Sequence, residues 1–306
     1  MAHAHSVRGS HWRLASWCAA AAIAILSTAR LAAAQALPPV AIAERTVSVH
    51  GIDLHYQEAG AGPMVVLLHG LAGSSVEWRP TLQALAGRYR VIALDQVGFG
   101  RSGKPLIANR RATFVDFLGG FLDALAIDHA AVVGNSQGGW VAARPAIARP
   151  GLVDRPVLVN AAGVASFANK AGPETVNALR LSTRADLQRV SELTFHNPAF
   201  ASDAAVDGAF AGRIAAGGGH AIDRLIDSML RAEDALDHDL PRITPPTLIV
   251  WGASDRLVPA SFASRFVRGI HGARLETIDA CGHMPPIECS SAFAASLLDL
   301  LGGRSP

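Results

Sequence analysis

The chain has 306 residues, half of them apolar and only 17% charged, with 27 Lys and Arg against 25 Asp and Glu. A chain of that length and hydropathy builds a full core, as one large domain with an insertion or as two small ones, which excludes a disordered chain. The near balance of charge leaves no basic footprint for nucleic acid and no polybasic stripe for an anionic membrane.

Arg8 and Arg13 precede an apolar run from Leu14 to Leu26, and Ala32 to Ala36 offers small residues at A-x-A spacing just before Leu37-Pro38-Pro39. This pattern predicts a secretory signal peptide over residues 1–36, cleaved after about Ala36, with an uncleaved N-terminal membrane anchor as the alternative. Cleavage takes away Arg8, Arg13 and Arg30 and no acid, leaving 24 basic against 25 acidic residues. The exported chain, periplasmic or secreted, then keeps two of its three cysteines, Cys281 and Cys289. In an oxidising compartment these two are able to pair across the short segment that contains His283.

From Thr46 to His50 and from Asp53 to Gln57 the sequence alternates around His50-Gly51, which predicts an edge hairpin. The run Met64 to Leu68 is continuously apolar, as in a strand buried on both faces, and it exits into His69-Gly70-Leu71-Ala72-Gly73. Helical spacing follows to about Ala86. A strand over Arg90 to Leu94 leads into Asp95-Gln96-Val97-Gly98-Phe99-Gly100, and a helix is predicted from Ala112 to Leu125. The strand from Asp128 to Gly134 delivers Gly134-Asn135-Ser136-Gln137-Gly138-Gly139.

That stretch has the form of a nucleophile elbow, a serine on a sharp turn from strand to helix. The glycines leave room for the turn and for the close crossing of helix and strand. The N–H groups at the start of the helix point where negative charge develops on a tetrahedral intermediate. Pro145 falls inside the helical pattern from Gly138 to Arg149 and predicts a kink or an early end. Pro156 is placed at the opening of the next strand, Val157 to Asn160.

Over residues 166–240 the strand pattern stops. Helices are predicted over Thr175 to Leu181, Arg184 to Leu193, Ser202 to Ala216 and Ala221 to Ala235, as a cap inserted between residues 37–165 and 241–306. Within it Phe167, Phe195, Phe200, Phe210, Leu225 and Met229 line an acyl pocket or form the cap's own core, and Gly217 to Gly219 is either a hinge or a plain loop. The sheet resumes at Pro246 to Trp251, exits through Gly252-Ala253-Ser254-Asp255, and closes with a strand over Arg274 to Ile278. Cys281-Gly282-His283 and a last helix follow. Strands alternating with helices imply a doubly wound, mostly parallel α/β sheet, with ligand bound at the carboxyl ends of its strands.

Three residues at strand exits, Ser136, Asp255 and His283, stand in the order nucleophile, acid, base that acyl transfer by serine needs. With His69-Gly70 and Gly73, Asp95 with Gly98, Gly100 and Ser102, Gly134 to Gly139, Gly252 with Asp255 and Pro259, and Gly282-His283, the chain resembles the α/β-hydrolase superfamily from Val40 to Leu301. The resemblance implies a backbone oxyanion hole at Leu71 and Gln137, with His69, Gly70 and Asp95 as supporting residues, and it implies no metal and no organic cofactor. Within the superfamily the cap run Arg184 to Pro198 resembles the monoacylglycerol lipase and carboxylesterase group. Gln137 departs from the Met often found after the nucleophile.

These readings predict an exported serine esterase or lipase acting on a small-molecule acyl ester. The alternatives are a C–C bond hydrolase of the meta-cleavage product type and a cofactor-free perhydrolase. A non-catalytic ligand receptor is disfavoured by the intact triad.

Overall fold

The computed structural model describes residues 40–164, 167–233 and 235–303. The expected signal peptide, its cleavage site and Cys18 lie outside the described residues. Among the described residues no helix is long and apolar enough to cross a membrane.

Eight strands form one sheet: β1 (Ala43–Val49), β2 (Ile52–Ala59), β3 (Met64–Leu68), β4 (Arg90–Leu94), β5 (Ala130–Asn135), β6 (Val153–Val159), β7 (Leu248–Gly252) and β8 (Arg274–Ile278). Their spatial order is β1-β2-β4-β3-β5-β6-β7-β8. β1 and β2 form the expected hairpin, and β2 runs antiparallel to β4; all later pairings are parallel.

The apolar runs are buried on both faces, as a parallel sheet requires. On one side Val66, Leu68 and Ile92 meet α2 (Arg111–Ala124), α3 (Gln137–Ala148) and α8 (Ala263–Gly269), around Phe121, Trp140, Trp251 and Phe266. On the other, Val65, Leu67 and Val133 meet α1 (Arg79–Leu85) and α9 (Ser290–Leu301) through Leu82, Phe293 and Leu297. Each large side chain buried this way contributes about 1.5–3 kcal/mol.

Two proline expectations are corrected. α3 continues through Pro145 to Ala148, because the proline sits in the last turn and the helix ends four residues after it, at the Arg149 cap. β6 begins at Val153, so Pro156 lies within a central strand and not at its start. Pro156 pairs with Val132 on the β5 side, while pairing of β6 with β7 begins only at Val157, so the proline precedes that ladder and takes an edge-like position, where a sheet tolerates it.

Between β6 and β7 stand α4 (Phe167–Ala178), α5 (Arg184–Thr194), α6 (Asp203–Ala216) and α7 (Gly219–Leu230). α4 starts earlier than the pattern from Thr175 suggests, and it carries a break at Gly172 (φ 78°) just before Pro173. α7 ends at Leu230, short of Ala235, and buries Ala221, Ile222, Leu225 and Ile226 on one face. Gly217 and Gly218 both have positive φ and separate α6 from α7.

Strand register brings the predicted loops together. Leu68 pairs with Gly134, so the His69-Gly70 exit lies beside Asn135-Ser136. Val159 pairs with Val250, which sets Asn160 against the exit of β7. Gly252 pairs with Ile278, so the loops carrying Asp255 and His283 leave the sheet side by side.

Candidate active site

Ser136 occupies φ 54°, ψ −117°, a strained conformation for a residue with a side chain. Its surroundings hold it there: Ser136 N–H donates to Val159 O at 2.9 Å, and Ser136 O accepts from Ala162 N–H at 2.9 Å and Gly139 N–H at 3.0 Å. The turn is tight enough to dictate sequence. A Cβ on Gly134 would lie 2.1 Å from Gly138 O, and one on Gly138 would lie 2.3 Å from Leu68 O.

Asp255 and His283 are in hydrogen-bond contact. His283 Nδ1 lies 2.7 Å from Asp255 Oδ2, and both residues are buried. The Asp255 carboxylate is held from three further directions: Oδ1 accepts from Leu257 N–H (2.9 Å) and Val258 N–H (2.8 Å), and Oδ2 from Asn160 Nδ2 (2.6 Å). An acceptor so fully engaged keeps the proton on Nδ1 of the neutral imidazole and leaves Nε2 as the base. Nε2 is buried and meets no hydrogen-bond partner among the described residues.

Ser136, Gly70, Leu71, Gln137 and His283 border one cavity of about 810 Å³. Gln137 is the first residue of α3, where the N–H has no intrahelical acceptor, and Leu71 lies on the facing loop. A Cβ on Gly70 would lie 3.2 Å from Ser136 Cβ, which shows how closely that loop passes the serine.

His69 and Asp95 both make hydrogen bonds to neighbouring loop backbone. His69 Nε2 accepts the Gln96 N–H at 3.0 Å, so Nδ1 carries the proton and donates to Gly70 O at 2.7 Å. Burial pushes its pKa below the ordinary histidine range, against the opposing pull of Asp95, so the ring stays neutral. Asp95 accepts from Ser75 N–H (2.5 Å), Arg101 N–H (2.8 Å) and His55 Nδ1 (2.8 Å).

Several residues escaped the motif reading. Gln96 Nε2 donates to His69 O at 2.7 Å and to Gln137 Oε1 at 3.2 Å, so the Gln137 side chain ties the elbow to the facing loop. Asn135 Nδ2 donates to His283 O at 3.0 Å. Glu288 accepts Gly282 N–H at 2.7 Å and Asn197 N–H at 2.5 Å, linking the base loop to the cap. Cys281 and Cys289 are joined in a disulfide with Cα atoms 6.1 Å apart. Position within the strand-exit motifs marks Gln96, Asn135 and Asn160 in the sequence; Glu288 carries no such mark.

The cavity's far wall comes from the cap. Leu179, Leu181, Val190, Phe195 and Met229 line it together with the cation Arg213, and Arg101 and Lys104 add two further cations from outside the cap. Of the aromatic and apolar residues proposed for a pocket, Phe195 and Met229 serve it; Leu225 is fully buried in the core, and Phe200 stacks on Phe195 at 4.7 Å between centroids. Phe210 does not border the cavity, and the side chain of Phe167 lies outside the described residues. Gly217 lines the cavity as well.

A family model described as the alpha/beta hydrolase fold matches residues 63–288. The chain belongs to the α/β-hydrolase family. It is 33% identical to the 2-hydroxy-6-oxo-2,4-heptadienoate hydrolase of Pseudomonas putida, over 85% of this chain and 96% of the relative. It is 32% identical to the 2-hydroxymuconate semialdehyde hydrolase of Pseudomonas sp. strain CF600, over 84% of this chain and 93% of that one. A solved structure of the meta-cleavage product hydrolase from Pseudomonas fluorescens IP01 superposes with a TM-score of 0.75 at 30% identity, covering 84% of this chain and 97% of that chain. These relatives point away from the monoacylglycerol lipase and carboxylesterase group suggested by the cap sequence.

Proposed function

We propose that this chain is a serine hydrolase that cleaves the carbon–carbon bond beside a ketone in an oxo-dienoate, with Ser136, His283 and Asp255 as its triad. The observation that carries the reading is a cavity with two kinds of wall around Ser136, apolar on the cap side yet furnished with the cations Arg213 and Lys104. Such a cavity suits a substrate with a carboxylate at one end and an apolar ketone substituent at the other. Relatives that act on dienoates of this form support it.

In this reading Arg213 and Lys104 hold the carboxylate. The dienol gives up its hydroxyl proton and takes one at the carbon next to the ketone, forming the keto tautomer. His283 Nε2 then takes the Ser136 proton as Oγ attacks the ketone carbon, and Leu71 and Gln137 N–H groups receive the oxyanion. Collapse breaks the carbon–carbon bond, and its electron pair passes into the conjugated keto acid as a dienolate. His283 returns its proton to that fragment. Water, deprotonated by the same imidazole, hydrolyses the acyl-enzyme and restores Ser136.

One observation favours a second reading, an exported carboxylic ester hydrolase. The Cys281–Cys289 disulfide, with the signal-like sequence of residues 1–36, suits an oxidising compartment. The same triad and cavity serve an ester through the same acyl-enzyme. Purified protein assayed with a 2-hydroxy-6-oxo-dienoate and with p-nitrophenyl esters of C2 to C16 acids separates the two. A kcat/KM for the dienoate at least about tenfold above that for any ester is the expected result; turnover of esters alone would overturn it. N-terminal sequencing of protein made in an exporting host tests the location, with a start near Leu37 expected.

A further inference from the structure

Three carboxylates border the cavity that holds Ser136: Glu44, Asp95 and Glu77. The first two have no oxygen to spare. Glu44 Oε1 accepts from Gln57 Nε2 (3.2 Å) and Arg79 Nη2 (3.3 Å), and its Oε2 accepts from Arg101 Nη1 and lies 3.0 Å from His55 Nε2. Both oxygens of Asp95 are taken by the backbone of Ser75 and Arg101 and by His55.

Glu77 differs. It lies in the helical turn Ser75–Trp78 that follows the His69-Gly70 loop, and its Oε1 accepts only the Ser74 N–H, at 3.3 Å. Its Oε2 has no hydrogen-bond partner among the described residues. The carboxyl packs against the loop backbone: a Cβ on Gly73 would lie 2.6 Å from Oε1 and 2.7 Å from Oε2. Burial, assisted by the charge of Asp95 and opposed by the Ser74 N–H, pushes its pKa up to about 8. At neutral pH the group carries a proton, and a protonated carboxyl is a donor as well as an acceptor.

We infer that Glu77 is a substrate-recognition residue, its free oxygen donating a hydrogen bond to a neutral ether, hydroxyl or carbonyl oxygen on the substrate beside the reacting carbonyl. Helix capping alone uses one oxygen and does not require the residue to border the nucleophile's cavity. A neutral donor at this point selects uncharged oxygen-bearing groups and disfavours a carboxylate, which is directed instead to Arg213 and Lys104. The inference rests on the serine-hydrolase reading of the site and not on which bond is cleaved.

The test uses two isosteric substrate pairs on the full chain. On the acyl side, p-nitrophenyl methoxyacetate is compared with p-nitrophenyl butyrate; on the alcohol side, 2-methoxyethyl butyrate with butyl butyrate. Glu77→Leu should lower kcat/KM for the oxygen-bearing member of at least one pair by about tenfold, the worth of one hydrogen bond, while the all-carbon member changes less than about threefold. Glu77→Gln keeps an acceptor for Ser74 and a donor for substrate, and it should restore the preference. Equal losses for both members of each pair, no loss in either pair, or a glutamine variant as poor as the leucine one would overturn the inference. If Glu77→Leu does not fold, Glu77→Met carries the same comparison. Activity surviving in Ser136→Ala would sink the hydrolase reading itself, which keeps the two failures distinct.

Discussion

His283 donates its backbone N–H to the carbonyl of Thr194 at 2.6 Å, so the loop that carries the base is seated on the C-terminal end of cap helix α5. The neighbouring carbonyls of that helix end are used in the same way. Arg256 N–H donates to Leu193 O at 3.3 Å, and Arg256 Nη2 donates to Glu192 O and, at 3.1 Å, to Phe195 O. The last carbonyls of a helix have no intrahelical donors, and here the loops of Asp255 and His283 supply them. This end of the cap is therefore part of the triad's support. Any opening of the cavity that spares the triad must come from elsewhere, and the two positive-φ glycines between α6 and α7 are suitably placed for it.

Ser136→Ala should lower kcat by roughly 10⁴-fold or more, because the attacking oxygen is lost while the oxyanion donors stay in place. Thermal unfolding should shift by no more than about 1 °C, since the strained backbone at Ser136 is held by Val159, Gly139 and Ala162 and not by the hydroxyl. Rates with an activated ester and a melting scan on the same preparation check both halves.

Glu288 and the disulfide are two ties on one loop. The carboxylate spans Gly282 and Asn197, and the Cys281–Cys289 bridge encloses the same segment. Glu288→Ala should lower kcat about three- to tenfold with KM nearly unchanged, because the base shifts while the cavity keeps its shape. In a Cys281→Ser/Cys289→Ser background the same change should cost more than the sum of the separate losses on a free-energy scale, the signature of groups that share a task. Additive losses in the double-mutant cycle would show the ties to be independent.

The centre of the sheet was legible because β3, β4, β5 and β7 are short, largely apolar runs bounded by turn-forming residues. Ser136 and Asp255 were singled out because each follows such a run, and His283 because it follows the last strand. What stayed hidden depends on contacts between distant segments. Glu288 meets Asn197 across 91 positions, and Gln96 meets Gln137 across 41. Neither pair has a local pattern that distinguishes it from solvated side chains. The misplaced start of β6 has a different origin: proline is rare within central strands, and that β7 pairs with β6 only from Val157 onward is a property of the two strands together and not of either sequence alone.

Asn160 links β6 to the acid. Its Nδ2 donates to Asp255 Oδ2 at 2.6 Å, its Oδ1 accepts Gly252 N–H at 3.3 Å, and its φ is 43°. Asparagine tolerates that left-handed conformation better than most residues. Asn160→Ala should lose about 2–3 kcal/mol, from a buried N–H left unpaired and from backbone strain. Asn160→Gly should recover roughly 1 kcal/mol of that by relieving the strain, without recovering activity, because Asp255 still lacks its donor. Chemical denaturation and kcat for the two variants separate backbone from side chain.

Glu77 makes stability depend on pH in a direction opposite to that of most acids. Its folded pKa, about 8, lies above the ordinary 4.5. Between those values the native state binds a proton that the unfolded state has released, so stability falls as pH rises through that window. Below about pH 4.5 both states are protonated and nothing is lost. Glutamine keeps the shape and the neutral form at every pH. Glu77→Gln should therefore match the parent near pH 4 and exceed it near pH 9 by roughly 2–4 kcal/mol, a range set below the full linkage value because the side chain is only partly shielded from the open cavity. Urea unfolding of the two proteins at pH 4, 6, 8 and 9 measures the difference; a gap that is flat with pH, or that widens toward acid, would show that the buried carboxyl is ionised in the folded chain.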